Sequence, residues 1–67
     1  MKDQLPEYLT TEEVAERYRR TVPTVRYWRH TGYGPKGVRV GTIVLYPRAE
    51  VERFDQQLAE LAAAATA

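Results

Sequence analysis

The sequence predicts a small α+β domain that is mostly helical: two short helices joined by a tight turn, a β-hairpin and a longer third helix. Three observations support this prediction. Threonines placed to cap helices precede the first two helical segments, a Gly-Tyr-Gly-Pro loop follows them, and β-branched residues flank a Gly-Thr pair further along the chain. With 67 residues, we expect one domain near the lower size limit for a self-sufficient core.

The first helix is predicted for residues 11–18, after a flexible lead-in formed by residues 1–8. Thr10 is placed to cap this helix, because its hydroxyl can accept a hydrogen bond from the backbone N–H of Glu13. The carboxylate of Glu13 can in turn reach the backbone N–H of Thr10, which completes a capping box. The start of the helix is therefore well defined by local chemistry.

The second helix is predicted for residues 22–30, after a turn at residues 19–21. Thr21 is its expected N-cap, and Pro23 lies in the first turn, where a missing N–H costs little. Gly32 is a natural residue to end the helix. Two short helices separated by about three residues form a helix-turn-helix.

The second helix has two faces of different chemistry. At helical spacing, Val25 and Trp28 lie on one side, whereas Arg26, Tyr27 and His30 lie on the other. A helix this short is marginal in water, so Val25 and Trp28 must hold it against the core. We therefore expect a cationic and aromatic surface that is free to contact a partner.

A β-hairpin is predicted for residues 38–46, with Gly41 and Thr42 at its tip and a positive φ at Gly41. Pro47 is expected at the first position of a third helix that spans residues 47–64. A hairpin that follows a helix-turn-helix in this way is called a wing. The predicted architecture is therefore a winged helix-turn-helix.

The third helix is expected to complete the core and then continue beyond it. Val51 and Phe54 recur at helical spacing and should close the core. Residues 9–57 are therefore assigned to the domain, and residues 58–67 to a C-terminal helix extension or tail. There is no internal repeat.

The composition argues against several classes of protein. Ser and Cys are absent and His30 is the single histidine, with Glu16 and Glu50 as its nearest acids along the chain. Neither a nucleophile with its base nor a metal site can be assembled from this set, so no catalytic residue, metal or cofactor is expected. No apolar run is long enough to span a bilayer, and we expect a soluble, cytoplasmic protein.

Charge is distributed unevenly along the chain, although the net charge is only +1. From residue 17 to residue 48 there is no acid, whereas all nine acids lie outside this segment. The segment contains eight cations: Arg17, Arg19, Arg20, Arg26, Arg29, Lys36, Arg39 and Arg48. A basic segment between acidic flanks indicates binding to a polyanion, here double-stranded DNA.

Ten residues are predicted to contact DNA. They are Arg19, Arg20, Thr21, Thr24, Arg26, Tyr27 and His30 in the turn and second helix, and Lys36, Arg39 and Thr42 in the loop and wing. A helix fits the major groove, where each base pair shows a distinct pattern of donors and acceptors. The cationic face of the second helix is therefore expected to be the part that reads sequence.

Within the second helix, Arg26 is expected to reach a guanine edge, with a phosphate contact as the alternative. Thr21 and Thr24, near the N–H groups of the first turn, suit a phosphate. Tyr27 is either a DNA contact or a half-buried ring with its hydroxyl in solvent. His30 is either a DNA contact or a solvated residue at the C-terminal end of the helix.

Outside the second helix, Arg19 and Arg20 are expected to clamp the DNA backbone from the turn. Arg39 and Thr42 of the wing are expected to reach an adjacent minor groove, and Lys36 the backbone nearby. The alternative for the wing is a purely structural hairpin.

Several segments together resemble the excisionase-type winged helix-turn-helix proteins, which are related to the DNA-binding domain of MerR-type regulators. The segments are Leu9 to Ala15, Thr24 to Trp28, Gly34-Pro35, Val38 to Gly41, Tyr46-Pro47 and Val51 to Phe54. The resemblance spans residues 8–55. It implies that the second helix enters the major groove while the wing touches a minor groove. By position, the residues implied to make these contacts are Thr24, Arg26 and Tyr27 in the helix, and Arg39 and Thr42 in the wing.

The resemblance implies a phage or plasmid excisionase, also called a recombination directionality factor. Several copies would bind adjacent sites near an attachment site, bend the DNA and direct an integrase toward excision. The alternative is a small MerR-like or AlpA-like transcriptional regulator that binds a promoter. A third hypothesis is a protein-interaction module that uses Leu58, Leu61 and the alanines of the last helix.

Overall fold

The computed structural model describes residues 7–66, which form three helices and three strands. Their order is β1 (Tyr8–Thr10), α1 (Thr11–Arg17), α2 (Val22–Thr31), β2 (Val38–Val40), β3 (Ile43–Pro47) and α3 (Arg48–Thr66). The predicted fold, a mostly helical winged helix-turn-helix, is confirmed. Both helices of the helix-turn-helix lie within one residue of their predicted bounds.

The sheet has a third strand that the sequence analysis missed. β1 pairs antiparallel with β3, with Tyr8 opposite Pro47 and Thr10 opposite Leu45, so the strand order is β1-β3-β2. The prediction that the lead-in extends to Tyr8 is therefore wrong. Residues 1–6 of the predicted lead-in lie outside the described residues.

Pro47 is the last residue of β3 and not the first residue of the third helix, which corrects a second prediction. Proline is compatible with the end of a strand, because its ring fixes φ and it has no backbone N–H that would need a hydrogen-bond acceptor. The next residue, Arg48, donates its backbone N–H to the carbonyl of Glu7 at 2.7 Å. The start of α3 is thus tied to the segment that leads into β1.

The capping box predicted for α1 is present. The backbone N–H of Glu13 donates to the hydroxyl of Thr10 at 3.1 Å, and the backbone N–H of Thr10 donates to the carboxylate of Glu13 at 2.9 Å. Each contact satisfies a backbone donor that the helix itself leaves unpaired. Val14 and Ala15, on the face turned inward, are buried.

α1 ends in a Schellman motif in the turn between the two helices. The N–H of Arg20 donates to the carbonyl of Ala15 at 2.8 Å, and the N–H of Arg19 donates to the carbonyl of Glu16 at 3.1 Å. This arrangement places Arg19 in the left-handed region, with φ of +56°. Glycine is the usual residue there, because any Cβ is strained in that conformation.

The caps predicted for α2 and the turn predicted for the hairpin are also present. Thr21 accepts a hydrogen bond from the N–H of Thr24, and Gly32 ends the helix in the left-handed conformation. Gly41 has φ of +65°, whereas Thr42 has a negative φ, which is the pattern of a type II′ turn. This turn matches the twist of the paired strands and sets the register of β2 on β3.

The core lies between the sheet and all three helices. Its buried side chains are Leu9, Val14, Ala15, Val25, Tyr46, Val51 and Phe54. The predicted roles of Val25, Val51 and Phe54 are confirmed, since they are 1%, 0% and 5% exposed. Burial of a side chain of this size contributes about 1.5–3 kcal/mol, so these few contacts carry much of the stability of a small domain.

A polar network joins α1 to α3. Arg17 donates to a carboxylate oxygen of Asp55 at 2.5 Å, and the hydroxyl of Tyr18 donates to the other at 2.6 Å. Burial alone would raise the pKa of Asp55, but the hydrogen bonds from Arg17 and Tyr18, together with the positive charge of Arg17, outweigh it and lower this pKa. The pKa of Tyr18 is raised, first by its burial and then by the hydrogen bond to Asp55.

Replacing Asp55 by Asn should lower the free energy of unfolding by about 0.5–1 kcal/mol at neutral pH, a modest effect because the pair is partly exposed. The folded state lowers the pKa of Asp55. Its contribution to the free energy of unfolding is therefore present above the unfolded pKa of about 3.9, and it is lost as the pH falls through the pKa of the folded state. Urea denaturation at pH 7 and at a series of pH values below about 4 should therefore show that the difference in stability between Asp55→Asn and the parent protein shrinks as the pH falls. Glu52→Gln is the control, because its pair with Arg48 is longer, at 4.0 Å, and should matter less.

Replacing Arg19 by Gly should raise the free energy of unfolding by up to about 1 kcal/mol, because glycine adopts the left-handed conformation without strain. Arg20→Gly is a matched control that removes the same charge one residue away, at a position with negative φ. Thermal unfolding should show Arg20→Gly to be neutral or destabilising. Equal effects of the two substitutions would contradict the role of backbone strain.

Candidate nucleic-acid interface

α2 is attached to the core along one side, as its sequence predicts. Val25 is 1% exposed and belongs to the core cluster. Trp28 is half-buried and packs on the core within a group of aromatic rings, in keeping with its predicted role of holding α2 against the core. Its ring centroid lies 5.3 Å from that of Tyr33 and 6.1 Å from those of Tyr18 and Phe54.

The opposite side of α2 is open to solvent. Tyr27 is 67% exposed, and Arg26 and His30 are also exposed. The two-faced character predicted for this helix is therefore confirmed. The half-buried alternative for Tyr27 is excluded, since an aromatic ring so exposed is available to a partner.

A groove lies between α2, the N-terminal end of α1 and the hairpin, and it joins the two parts of the predicted interface. Its lining includes Arg26 from α2 with Arg39 and Thr42 from the wing. Arg26 is 13 positions from Arg39 and 16 from Thr42 in the sequence, and the fold brings α2 and the hairpin together at this groove. The full lining is Thr10, Thr11, Glu12, Arg26, Arg29, Arg39, Thr42, Ile43 and Val44.

Arg29 belongs to this groove, although the sequence analysis assigned it no site role. It lines the groove together with Arg26 and Arg39 and is half-buried. Its spacing of three residues from Arg26 is a signal that was present in the sequence, because side chains at that spacing are neighbours on a helix. Three arginines therefore line one groove.

The groove also contains a carboxylate. Glu12, in the first turn of α1, lines it and makes no ion pair with any residue of the described chain. Along the sequence the basic segment has no acid, but in space an acid from α1 lies beside it. A carboxylate repels phosphate and can accept a hydrogen bond from the amino group of cytosine, so this groove is not a uniform phosphate-binding surface.

Thr21 and Thr24 form a pair of hydroxyls at the start of α2. Their Oγ1 atoms are 2.9 Å apart, and the hydroxyl of Thr21 also accepts from the N–H of Thr24 at 3.3 Å. One hydroxyl hydrogen is shared within the pair, which leaves the other able to donate to an anion. The helix N-terminus adds partial positive charge at the same position.

Ion pairs reduce the number of cations that are available to a ligand. Arg17 is paired with Asp55, and Arg48 lies 4.0 Å from Glu52. Six cations of the basic segment make no ion pair within residues 7–66: Arg19, Arg20, Arg26, Arg29, Lys36 and Arg39. Of these, Arg19 and Arg20 lie in the turn immediately before α2, both exposed.

Lys36 does not line this groove, although it shares a neighbouring pocket with Arg29. It lines a different groove, between the loop that follows α2 and the face of α3, together with Glu50, Arg53 and Leu61. It is not among the residues that line the groove of Arg26 and Arg39. Its contact with a DNA backbone stays a prediction.

No group of three His, Asp or Glu side chains within residues 7–66 is arranged to hold a metal ion. The helices of the described chain include none that is long and apolar enough to cross a membrane.

Comparison with known proteins identifies the fold family. The model of the helix-turn-helix domain family matches residues 8–59, which covers every strand and helix except the last turns of α3. No curated protein and no solved structure matches the chain. The matched segment contains α2, the wing and the groove between them. The chain therefore belongs to the helix-turn-helix domain family and is a sequence-specific DNA-binding protein.

Proposed function

We propose that this protein is an excisionase, which binds and bends the DNA of a phage or plasmid attachment site and so directs an integrase toward excision. The resemblance of residues 8–55 to excisionase-type proteins supports this role within the helix-turn-helix family. The mode of DNA binding proposed here is supported by one observation. Arg26 and Arg29 of α2 line the same groove as Arg39 and Thr42 of the wing.

In this proposal α2 lies in the major groove of DNA. Its exposed face presents Arg26 and Tyr27, with His30 one turn further on. Arginine forms two hydrogen bonds with the edge of guanine, which is the commonest specific contact in protein–DNA complexes. Arg26 is the residue of this face best suited to read a base, because it also lines the groove toward the wing.

The start of α2 positions the helix on the backbone. Thr21 and Thr24 offer a free hydroxyl hydrogen beside the N–H groups of the first turn, and Arg19 and Arg20 precede them without ion pairs in the described chain. Contacts of this kind fix orientation and carry no sequence information. They act together with base contacts from Arg26.

The wing extends the contact toward the adjacent minor groove. Arg39 is exposed and Thr42 lies at the hairpin tip, on the same groove as Arg26. A domain of this size covers few base pairs, and specific binding of single modules buries about 600–1,000 Å² of protein. Several copies on neighbouring sites would supply the specificity and the bend that excision requires.

Transcriptional regulation is the alternative role for the same DNA-binding surface. Both roles need α2, the turn and the wing, so the difference lies in the DNA that is bound. An attachment site beside an integrase gene favours excision, whereas a promoter regulated by the protein, with no integrase nearby, favours regulation.

Replacing Arg26 by Ala should weaken binding to the specific duplex by about 1–3 kcal/mol while leaving non-specific binding less affected, because a base contact is lost. Fluorescence anisotropy with a specific and a scrambled duplex, across a series of salt concentrations, measures both effects. The matched control is Arg53→Ala, which removes an equally charged and exposed side chain on α3, outside this groove.

The salt dependence separates the two possible roles of Arg26. A phosphate contact predicts equal weakening on both duplexes and a salt slope reduced by about one. A base contact predicts a loss of discrimination with a nearly unchanged slope. If Arg26→Ala binds every duplex as the parent protein does, Arg26 contacts neither a base nor a phosphate.

The excisionase role itself is tested with attachment-site DNA and the neighbouring integrase. The protein should bend this DNA, which is measured by energy transfer between dyes at the duplex ends, and should stimulate excision but not integration. Arg26→Ala should reduce the stimulation in proportion to its lost affinity. Binding to the attachment site with no effect on recombination would reject the excisionase role and leave the regulator.

A further inference from the structure

Arg29 lies at the edge between the buried and the open side of α2. At about 100° per residue, it is about 40° around the helix from Val25, which is buried, and about 60° from Arg26, which is exposed. Its side chain is half-buried accordingly. A half-buried arginine packs its methylene stem against apolar surface and keeps its guanidinium in water. Arg29 is therefore held in a narrower range of positions than an exposed arginine such as Arg26.

Arg29 lines two neighbouring depressions on this side of the molecule. The first is the groove that also contains Arg26 and Arg39. The second is the neighbouring pocket, which is lined by residues 32–37 of the loop after α2, including Lys36. Because Arg29 is common to both, it connects the cations of α2 and the wing with the cation of the loop. These four residues, called the basic track, are Arg39, Arg26, Arg29 and Lys36.

The charges of the basic track are available to an anion. None of its four cations makes an ion pair within residues 7–66. Among the residues that line the groove and the neighbouring pocket, Glu12 is the only acid. Four cations outnumber this single carboxylate, so the track as a whole attracts phosphate.

The proposed mode of DNA binding brings a DNA strand to the basic track. With α2 in the major groove of DNA and the wing in the adjacent minor groove, the sugar-phosphate backbone between those two grooves has to pass between α2 and the wing. Arg39 and Val44 are directly opposed on the hairpin and both line the groove, so one face of the wing forms its wall. Arg26 lies on the exposed face that α2 turns toward the bases. Arg29 is thus the residue of α2 best placed to meet the passing backbone.

We propose that Arg29 binds a phosphate of the DNA strand that runs between α2 and the wing, and that this strand continues past Lys36. The proposal rests on the DNA-binding mode proposed above and not on the excisionase role. A guanidinium group can donate two hydrogen bonds to one phosphate. Because the side chain is half-buried, it loses less conformational entropy on binding than an exposed arginine. The contact fixes the orientation of α2 without reading sequence.

Salt titrations of Arg29→Gln, followed by fluorescence anisotropy on a specific and a scrambled duplex, test the contact. Loss of one phosphate contact should lower the slope of log affinity against log salt by about 0.9 on both duplexes. The weakening should therefore be about three- to fourfold larger at about 50 mM salt than at about 200 mM. Arg29→Lys keeps the charge and should keep the slope of the parent protein. Arg53→Gln is the matched control, because it removes an exposed arginine of α3 that lines neither depression.

Glu12→Gln tests the path of the strand without altering α2. Glu12 is exposed and makes no ion pair in the described part of the chain, so its replacement should leave the fold intact. If a phosphate enters the groove, removing this carboxylate should tighten binding to both duplexes. Glu16→Gln is the matched control, since Glu16 is an exposed acid on the same helix that does not line the groove. Equal effects of the two substitutions would overturn the proposal.

Methylphosphonate substitutions, each of which removes the charge of one phosphate, locate the contacts on the DNA. The parent protein should lose affinity at a phosphate whose substitution has no effect on binding by Arg29→Gln. Lys36→Gln should be insensitive in the same way to another phosphate of the same strand. A phosphate of Lys36 on the opposite strand would overturn the proposed path.

Failure of this proposal is distinguishable from failure of the proposed function. If Arg29→Gln keeps the salt slope of the parent protein while Arg26→Ala loses affinity, α2 binds DNA without a phosphate on Arg29. That result overturns the present proposal alone. A parent protein with no affinity for any duplex would instead overturn the DNA-binding mode from which both proposals start.

Discussion

Val25 packs α2 against the core, and the predicted interface depends on this contact. Val25 is almost fully buried, and Trp28, on the same side, adds aromatic contacts with Tyr33 and Phe54. A ten-residue helix has too few hydrogen bonds to be stable alone, so this packing determines both its existence and its orientation. Because one side is held, the other side is left to present Arg26 and Tyr27 in a defined direction.

The sheet performs the second positioning task. β3 is its central strand and pairs with β1 on one edge and β2 on the other. Tyr46 of β3 is buried in the core, while the hairpin carries Arg39 and Thr42 to the groove beside α2. A two-stranded hairpin is marginally stable in water, and the third strand gives the wing a more rigid base. The predicted interface therefore rests on two elements that are each fixed by the same core.

Charges that are separated in the sequence are redistributed by the fold. Within the basic segment, Arg17 forms an ion pair with Asp55 and Arg48 forms one with Glu52. The fold also places Glu12 beside the arginines of the groove. The interface is thus narrower and less uniform in charge than the sequence pattern indicates. A local acid among arginines favours discrimination between DNA sequences, because it weakens binding to phosphate without removing the groups that can contact bases.

The sequence by itself determined the local features of this protein. The capping box at Thr10, the N-cap at Thr21, the turn at Gly41 and the two faces of α2 all depend on residues within four positions of one another. Tertiary structure alone decided the pairing of β1 with β3 and the place of Glu12 in the groove. These features join segments that are up to about 40 residues apart, and periodicity along a chain carries no information about which distant segments meet.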